Sequence, residues 1–366
     1  MDKTDIFISG GGPGGLAAAI AARQRGLSVA VADASDPPID KACGEGLMPD
    51  AIAALLRWGI SIQPDQGYLL RGIAFINRDR RVEASFPDRP GLGIRRTVLH
   101  RLLTERALAS GVSLLWRTPV TGLDVEGVHS GAKAFPARWI IAADGGNSRA
   151  RRWAGLDDVR EENRFAFRRH YRIPPWSDHV EVYWGRKSQA YVTPISKDEI
   201  CVAVASREPG NRLTEALEDF PQIAARLQTA TCSSKERGAV SSTRRVRHVH
   251  SGRVILVGDA SGSVDCITGE GLGLAFHQAD ALADCLAQED LSAYGGRHAA
   301  ICRRTRLMSQ FLLALDRKEW LRDRAMRAFE SHHGLFARML ALHVGALSAT
   351  ECATTGIMLG WRLLSA

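Results

Sequence analysis

The sequence of 366 residues predicts an α/β fold, in which a Rossmann-like domain with a parallel sheet is interleaved with an α+β insert and followed by C-terminal helices. Three observations predict it. An apolar run at 6–8 leads into a glycine-rich turn and an alanine-rich helical stretch. Between 164 and 206, strand-like runs with partial alternation and turn residues indicate an antiparallel sheet. After 271, most of the chain has helical periodicity.

The N-terminal glycine-rich turn is typical of a dinucleotide-binding site. Its residues are Gly10, Gly12, Pro13, Gly14 and Gly15. In the G-x-G-x-x-G pattern, Gly10 permits the tight turn, Gly12 lets a pyrophosphate approach the backbone, and Gly15 lets the helix lie close to the strand. A second strand-like run at 27–32 ends at Asp33, which is placed to accept hydrogen bonds from ribose hydroxyls. We therefore predict that a dinucleotide binds at the N-terminus of the first helix.

Composition limits the function classes. A hydrophobic content of 45% and a charged content of 24% are ordinary for a soluble globular protein. The formal charge of +8 is compatible with an anionic cofactor, an acidic substrate or peripheral contact with a membrane, and no block of Lys and Arg indicates nucleic-acid binding. The seven cysteines are scattered without a C-x-x-C pair, so we expect neither disulfides nor a metal site.

The same patterns predict the compartment. Unpaired cysteines fit a reducing cytosol. The first strand begins almost at once, which leaves no room for a signal peptide, and no run of eighteen apolar residues forms a transmembrane segment. We therefore expect a cytoplasmic protein. Its oligomeric state is left open.

Strand and helix patterns then divide the chain. Before residue 160, helices are predicted at 50–58 and 97–109, and strands at 70–76, 81–86, 112–116, 120–125 and 139–143. The insert has predicted strands at 165–173, 179–184, 190–194 and 199–205, followed by a helix at 212–228 that is broken by Pro221. A buried strand returns at 254–257, and helices follow at 272–288, 296–315, 321–329 and 335–347.

This order predicts two interleaved domains rather than two successive ones. Residues 1–68, 94–160 and 245–320 are expected to form the dinucleotide-binding domain. Residues 69–93 and 161–244 are expected to form the substrate-binding sheet, and 321–366 a C-terminal helical segment. The run around His343 is expected either to cap the substrate pocket or to contact another subunit.

Three further turns have reasons to touch a ligand. Two of them, the stretch from Asp144 through Gly145 to Ser148 and the pair Gly258-Asp259, follow buried strands. The ends of parallel strands are where ligands bind in α/β sheets. The third turn opens a long helix with free N–H groups, and its residues are Thr268, Gly269, Glu270, Gly271 and Leu272.

In this combination the chain resembles the FAD-dependent oxidoreductases that include para-hydroxybenzoate hydroxylase-like monooxygenases and geranylgeranyl reductases. The resemblance covers roughly residues 4–290. It implies that FAD is held by the glycine turn and Asp33, by Arg96 in the pattern Arg96-x-x-Leu99, by the stretch 144–151, by Asp259 through the ribityl hydroxyls, and by the turn 268–272. It also implies NADPH or NADH as the reductant.

The stretch 41–49 looks most like the geranylgeranyl reductase branch, in which a Cys-Gly pair lies near the flavin. Here the pair is Cys43-Gly44, and a thiol there either tunes the flavin, donates a proton or simply packs in a close turn. The chain departs from the family at Cys266, where a proline is usual. It departs again at 190–194, where the reductases usually carry Trp and Phe.

The substrate candidates lie on the predicted insert. Tyr191 is expected to line a pocket. Alternation places Arg168 on one face with His170 and Arg172, and this face is expected to be either substrate-facing or solvated.

The resemblance implies a hydrophobic or aromatic small-molecule substrate. The departure at 190–194 favours monooxygenation with O2, by hydroxylation or epoxidation, and this is the reaction that we expect from the sequence. Cys43-Gly44 favours the alternative, reduction of a carbon–carbon double bond. A flavin-dependent halogenase and a flavin-binding protein without catalysis are further alternatives.

Overall fold

The computed structural model describes residues 4–157, 159–210 and 212–365. Residues 1–3, 158, 211 and 366, which belong to the predicted domain ranges, lie outside the described residues. The predicted α/β class is confirmed, because the chain forms a largely parallel sheet and a second mixed sheet, with helices packed around both.

The strands are β1 (Thr4–Ser9), β2 (Val29–Ala32), β3 (Gly46–Leu47), β4 (Tyr68–Leu70), β5 (Gly72–Asn77), β6 (Arg80–Ser85), β7 (Gly91–Gly93), β8 (Ser113–Leu115), β9 (Gly122–Leu123), β10 (Val128–Ser130), β11 (Lys133–Phe135), β12 (Ala137–Ala142), β13 (Val159–Arg172), β14 (His179–Trp184), β15 (Ser188–Ser196), β16 (Glu199–Ser206), β17 (Thr231–Cys232), β18 (Arg237–Val246), β19 (His250–Ser251) and β20 (Val254–Leu256). The helices are α1 (Pro13–Gln24), α2 (Pro49–Arg57), α3 (Arg96–Ala109), α4 (Arg149–Trp153), α5 (Leu213–Ala216), α6 (Pro221–Leu227), α7 (Gly271–Ala287), α8 (Tyr294–Arg317), α9 (Glu319–Ser331), α10 (His333–His343) and α11 (Ala349–Ser365). Short 3-10 turns lie at Leu217–Asp219, Gly258–Ser261 and Cys266–Thr268.

The first sheet places three ligand-binding turns at one edge. Its strand order is β19-β20-β12-β1-β2-β8, and every pair is parallel except β19 with β20. Because β1, β12 and β20 run parallel, the turns that follow them meet at their carboxyl ends. Helices α1 and α7 pack closely, since a Cβ on Gly14 would lie 3.6 Å from the Cβ of Ala275. Three separate stretches of sequence are thereby brought to one site.

The second sheet corrects one prediction about the insert. Its eight strands run in the order β17-β13-β16-β15-β14-β5-β6, and β18 also pairs with β13. The pairs are antiparallel, as predicted, except that β14 pairs with β5 in parallel. The expectation of a purely antiparallel sheet was therefore wrong at this pair, because β5 enters the sheet from a segment far earlier in the chain.

Several elements were not predicted. In the small sheets β3-β7-β4 and β11-β10-β9, four strands were missed because they are only two or three residues long, too short for a periodic pattern: β3, β7, β10 and β11. Strand β9 lies within the predicted strand 120–125, and β4 overlaps the predicted strand 70–76 only at Leu70. Strand β18 and helix α11 were also missed. The predicted helix at 335–347 ends instead at His343, and Gly345 then adopts φ +76°, a left-handed conformation that terminates helices.

The C-terminal helices cover the outer part of the second sheet. Helices α9 and α10 pack on β6, and their apolar side chains join one buried cluster with Val82 and Trp184. The same cluster contains Met48 and Ile267, which lie next to two of the predicted ligand-binding segments. Among the described residues, no helix has the length and apolar character needed to cross a bilayer.

Candidate functional site

The glycine turn after β1 is shaped by close backbone contacts. Gly10 has φ +112°, and a Cβ there would lie 2.4 Å from the carbonyl oxygen of Ala143. A Cβ on Gly15 would lie 1.9 Å from the carbonyl oxygen of Gly10. Gly12 is different, because no atom lies within 4 Å of its Cβ position. The first two glycines are thus required by the fold, whereas Gly12 leaves the space that a pyrophosphate needs at the helix N-terminus.

Asp33 braces this turn. Its Oδ2 accepts a hydrogen bond of 2.8 Å from the N–H of Gly11, and its Oδ1 accepts one of 2.8 Å from the N–H of Ser35. A carboxylate offers about four lone pairs, so acceptor capacity is left for the predicted ribose hydroxyls.

His100 is a residue that the sequence did not single out. Its Nε2 lies 2.9 Å from the carbonyl oxygen of Gly11 and donates to it. Burial lowers the pKa of His100, which favours the neutral ring. Helix α3 is thereby fastened to the glycine turn. A buried histidine at a helical position gives no signal in a single sequence that would distinguish this role.

Arg96 begins α3 and fits an anionic group. Its backbone N–H donates 2.9 Å to Oε1 of Glu45, while its Nε is buried and has no hydrogen-bond partner among the described residues. A buried guanidinium N–H without a partner is costly unless a ligand supplies an acceptor. A cleft of about 340 Å³ lies alongside, and its lining residues are Pro37, Pro38, Thr97, Val98, Arg101, Thr104 and Glu105. These features fit the phosphate-bearing half of a dinucleotide.

The motif from Asp144 to Arg151 is held by hydrogen bonds among its own residues. Asp144 accepts hydrogen bonds from the Ser148 hydroxyl and from the first two N–H groups of α4. Arg151 donates 3.1 Å to the carbonyl oxygen of Ala260 and so braces the neighbouring turn. Gly145 has φ +83° and faces open space. A contact of Asp144, Gly145 and Ser148 with the cofactor stays a prediction. Their hydrogen bonds and backbone conformation shape the turn at the edge of the site.

The turn after β20 presents a carboxylate. The N–H of Gly258 donates 2.8 Å to Oε1 of Gln278 on α7, which fixes the turn against that helix. Asp259 is held less tightly, since its side chain is 46% exposed and its Oδ2 lies 3.6 Å from Nζ of Lys41. Its carboxylate is therefore accessible to the ribityl hydroxyls that the resemblance implies.

A buried histidine on α8 contacts the same turn. Nε2 of His298 lies 2.9 Å from Oγ of Ser261. Burial is the main cause that lowers the pKa of His298 to about 4, with a smaller contribution from the positive charge of Arg306. His298 is thus neutral at neutral pH, and the packing under the turn depends on its neutrality.

The turn that opens α7 is fastened from the C-terminal helices. Nε2 of His343 donates 3.0 Å to the carbonyl oxygen of Thr268, and Gly269 takes φ +67°. The buried carboxylate of Glu270 accepts 3.1 Å from Arg304 on α8. No side chain caps α7, and nothing lies within 4 Å of a Cβ on Gly271. The free N–H groups at this helix start, including that of Leu272, face an open space that fits the flavin pyrimidine.

The segment 40–48 crosses between these turns and the second sheet. Sγ of Cys43 accepts a weak hydrogen bond of 3.4 Å from the N–H of Glu45, and Sγ of Cys201 donates 3.7 Å to the carbonyl oxygen of Cys43. Gly44 has nothing within 4 Å of its Cβ position. At the end of the segment, Cε of Met48 lies 3.2 Å from where a Cβ on Gly269 would stand. Met48, five residues after Cys43, therefore lies against the turn of α7, and a place for Cys43 and Gly44 near the flavin stays a prediction.

Glu45 holds this segment in a strained conformation. Its φ is +60°, which is uncommon for a residue with a Cβ. Three contacts stabilise it: its carbonyl accepts 2.9 Å from the N–H of Ile94, its Oε1 accepts from Arg96, and its Oε2 lies 2.6 Å from Nε2 of His170. Such outliers cost about 1–3 kcal/mol and cluster at functional sites. Glu45 was not predicted as a site residue, although it lies within the stretch 41–49 that the sequence singled out.

Arg168 and His170 lie beneath the segment. Both are almost fully buried, so the solvated alternative was wrong for them, and only Arg172 is exposed. A substrate contact for Arg168 stays a prediction. Arg168 pairs with Asp40, and its Nη1 donates 3.2 Å to Nδ1 of His170. Because a guanidinium only donates, this Nδ1 accepts, and the proton of a neutral ring sits on Nε2 facing Glu45. The segment 40–45 covers this face and excludes water from it.

The buried cluster also offers metal-ligand atoms. Glu45, His170 and Cys201 each have a ligand atom within 4.8 Å of the others. The Glu45 and His170 atoms already bond to each other, and Nη2 of Arg168 lies 3.9 Å from Oε1 of Glu45. A guanidinium at that distance opposes a cation, so the cluster is better described as an ion-pair network than as a metal centre.

Tyr191 belongs to a second buried network. Its hydroxyl donates 3.0 Å to Oε1 of Gln189, and Nε2 of Gln189 donates 3.0 Å to Asp316 on α8. Arg164 on β13 donates 3.1 Å to Asp265, whose carboxylate caps the 3-10 turn before Thr268. Loss of hydration raises the pKa of Tyr191 well above its ordinary value. The network connects the second sheet with the turn of α7, and a substrate contact for Tyr191 stays a prediction.

Comparison with known proteins agrees with this geometry. The chain is 27% identical over 297 residues to digeranylgeranylglycerophospholipid reductase 1 of Methanopyrus kandleri, covering 74% of this chain and 77% of that protein. It is 26% identical over 322 residues to the menaquinone reductase of Mycolicibacterium smegmatis, covering 80% and 78%. The crystal structure of a flavoprotein/dehydrogenase from Cytophaga hutchinsonii superposes with a TM-score of 0.81 at 17% identity and covers 93% of each chain.

The sequence also matches the FAD binding domain family over residues 3–297. This range contains the glycine turn, the strand-end turns after β12 and β20, and the start of α7. With a match over most of its length and a site that fits the cofactor, the chain belongs to the FAD binding domain family and is an FAD-dependent oxidoreductase.

Proposed function

We propose that the protein reduces carbon–carbon double bonds in a hydrophobic, isoprenoid-like substrate, with FAD as the bound cofactor and NADPH or NADH as the reductant. Relatives named as digeranylgeranylglycerophospholipid and menaquinone reductases support this choice of substrate class. FAD, when bound and reduced, supplies a hydride. The protein must then supply the proton and a site without water.

The strained segment around Glu45 is the observation that carries the proposal. Glu45 holds φ +60° through a buried bond to His170, and two residues earlier Cys43 carries a thiol. Strain that is maintained by a buried ion-pair network is typical of a site where one side chain must be presented in a fixed position. Here that side chain is the thiol of Cys43.

The chemistry balances with this thiol as the acid. Saturating a double bond adds a hydride to one carbon and a proton to the other. The S–H bond of Cys43 breaks as the new C–H bond forms, and the thiolate recovers its proton from water when the product leaves. No oxygen is consumed, and the two electrons come from the nicotinamide reductant. Cys43 is the catalytic residue in this scheme, and Glu45 and His170 are positioning residues.

The surroundings of the segment fit an apolar substrate. Met48, at its end, and Ile267, in the turn before Thr268, belong to a buried apolar cluster that extends to the C-terminal helices. Apolar walls bury hydrocarbon favourably, at about 25 cal/mol per Å². They also exclude the water that would compete with the thiol as a proton donor.

Monooxygenation is the second candidate. It is favoured by the residues 190–194, where Ala190 and Tyr191 stand in place of the aromatic pattern usual in the reductases, and Tyr191 joins a polar network. A more polar wall suits a shorter or aromatic substrate. This route requires O2 and adds one oxygen atom to the product.

One experiment separates the two reactions. The purified FAD-bound enzyme is incubated with a polyprenyl quinone and NADPH or NADH, with and without oxygen, and the products are analysed by mass spectrometry. Under anaerobic conditions we expect a gain of two hydrogen atoms per turnover that stays in the prenyl chain after the ring is reoxidised to the quinone, because reduction of the ring itself also adds two hydrogen atoms. A product that forms only in air and gains an oxygen atom would overturn the proposal in favour of monooxygenation.

The role of Cys43 is tested by a matched pair of variants. Cys43→Ala should slow reduction at least about tenfold and leave the FAD content unchanged. Loss of a general acid usually slows a reaction by more than this. Cys232→Ala, which removes an exposed thiol on β17, should be indistinguishable from the wild type. Full turnover in Cys43→Ala would leave the thiol as a packing group only.

A further inference from the structure

We infer that α11 forms a docking surface for an anionic lipid bilayer. The outward face of this helix carries three large apolar side chains: Ile357, Trp361 and Leu364 are 73%, 68% and 78% exposed. Their spacing of four and three residues places them on one side of the helix. Such a continuous exposed apolar face is unusual on a protein surface and marks a contact site.

The opposite face of α11 is already packed. Leu359 is buried and Met358 and Leu363 are partly buried against the cluster shared by α9 and α10. The helix is therefore apolar on both sides, with one side covered by the protein itself. Next to the exposed apolar residues, Gly356 and Gly360 have no atom of the described residues within 4 Å of their Cβ positions, so the helix surface at these two glycines is uncovered.

Cationic side chains lie at both ends of this face. Nη2 of Arg324 donates 3.0 Å to the carbonyl oxygen of Leu364, and Nε of Arg338 donates 3.1 Å to Oγ1 of Thr355. After Glu351 the helix carries no acidic residue in its described part. Arginines close to an anionic membrane surface are attracted to its headgroups.

The acidic residues of the neighbouring helix are directed elsewhere. On α9, Asp323 contacts Arg78 at 3.4 Å in the turn between β5 and β6. Glu319 also forms an ion pair with Arg78, and Glu330 forms one with Arg80 at the start of β6. The helix thus directs its carboxylates toward the second sheet. The charge that remains beside α11 is positive, which favours an anionic membrane surface over a neutral one.

Aromatic residues complete the surface. Trp320 on α9 is 60% exposed and lies one turn before Arg324, on the same side of that helix. Tryptophan is enriched at the headgroup level of membranes, where its ring is amphipathic. Exposed Trp and aliphatic side chains bordered by arginines are typical of a helix that lies in the membrane interface. We therefore assign α11 to a bilayer surface, with its axis parallel to the membrane plane.

The inference is tested by vesicle flotation of the FAD-bound, full-length protein. The probes are vesicles of phosphatidylcholine alone and of phosphatidylcholine mixed with phosphatidylglycerol. We expect the wild type to float with the anionic vesicles, and added salt to weaken the binding. A triple variant, Ile357→Ser, Trp361→Ser and Leu364→Ser, should reduce the bound fraction at least about tenfold, because it removes the apolar side chains that would enter the membrane interface.

A matched control keeps the result interpretable. Leu108→Ser with Val125→Ser removes two apolar side chains of similar exposure, 56% and 92%, far from α11 in sequence, and should bind vesicles as the wild type does. Circular dichroism and FAD content verify that the triple variant is folded. Absence of binding by the folded wild type would overturn the inference. So would a dimer that the triple variant abolishes, because the face would then belong to a second copy of the chain.

Discussion

Nε2 of His170 lies 2.6 Å from Oε2 of Glu45, and the two residues are only 1% and 3% exposed. This bond joins β13 of the second sheet to the segment that carries Cys43. On its other side, Oε1 of Glu45 accepts from the backbone of Arg96 at the start of α3. One carboxylate therefore connects the second sheet, the segment that carries Cys43 and the start of α3.

Removing this carboxylate should destabilise the protein. Glu45→Ala leaves buried donors of His170 and Arg96 without an acceptor, so the free energy of unfolding should fall by about 3 kcal/mol. Glu45→Gln keeps one acceptor oxygen and should lose roughly half as much. Chemical denaturation measures both. Equal losses for the two variants would show that shape, and not hydrogen bonding, is what the site requires of residue 45.

Two glycines of the first turn should respond differently to a methyl group. In Gly15→Ala the new Cβ meets the carbonyl oxygen of Gly10 at 1.9 Å, so the variant should lose about 1–3 kcal/mol of stability. In Gly12→Ala nothing lies within 4 Å, so the melting temperature of the FAD-free protein should be retained while FAD affinity falls. Thermal melts of the FAD-free protein and FAD titrations separate the effects. Normal FAD affinity in Gly12→Ala would remove Gly12 from the binding site.

Asp259 should matter for FAD and its ion-pair partner should not. Asp259→Ala removes a half-exposed carboxylate, and loss of charged hydrogen bonds worth about 1.5–3 kcal/mol should weaken FAD binding at least about tenfold. Lys41→Met removes the pair with Asp259 but keeps the carboxylate, and a surface ion pair contributes about 0–1 kcal/mol. Flavin fluorescence titration compares the variants. Unchanged FAD affinity in Asp259→Ala contradicts the assignment.

His298 should make the fold sensitive to acid. Its pKa is about 4 in the folded protein and about 6.5 when unfolded, so between these values the unfolded chain binds more protons. The stability it contributes is therefore complete above about pH 6.5 and decreases as the pH falls toward 4, by roughly 3 kcal/mol in all. Denaturation at stepped pH should show this slope, and His298→Gln should reduce it. An identical slope in both proteins would rule His298 out as its source.

The network that joins Arg164 to Asp265 and Asp316 should be required for stability. Arg164 is 2% exposed and its partners are equally buried. Arg164→Met leaves the buried carboxylate of Asp265 without its cation and that of Asp316 with only Arg207 as an ion-pair partner among the described residues, which should cost about 3–5 kcal/mol. Arg164→Lys keeps the charge but loses the branched donor and should cost less. Urea denaturation ranks the variants, and a Met variant as stable as the Lys variant would contradict the prediction.

Local sequence patterns were sufficient to predict the elements whose backbone conformation depends on residues nearby in the sequence. The glycine spacing at 10–15, the strand that ends at Asp33 and the helix broken by Pro221 were all predicted, and the structure has the elements where they were expected. Backbone geometry at such places is set within a few residues, so residue type and spacing are sufficient to predict it.

Side-chain environments on the second sheet were decided by tertiary structure. Arg168 and His170 alternate correctly on one face of β13, yet the sequence could not show that the segment 40–45, more than a hundred residues earlier, covers that face. Helix α11 was missed because its two glycines weaken the helical pattern, and packing on α9 and α10 supplies what propensity lacks.

By itself the sequence determined the α/β class, the cofactor-binding turn and the order of the strand-end motifs, because each depends on short-range periodicity and glycine conformation. Only the tertiary structure decided that Glu45 pairs with His170, that His343 holds the carbonyl of Thr268, and that β14 runs parallel to β5. These relationships join residues 75 or more positions apart, and they form because folding buries apolar surface and favours hydrogen-bond partners for buried polar groups.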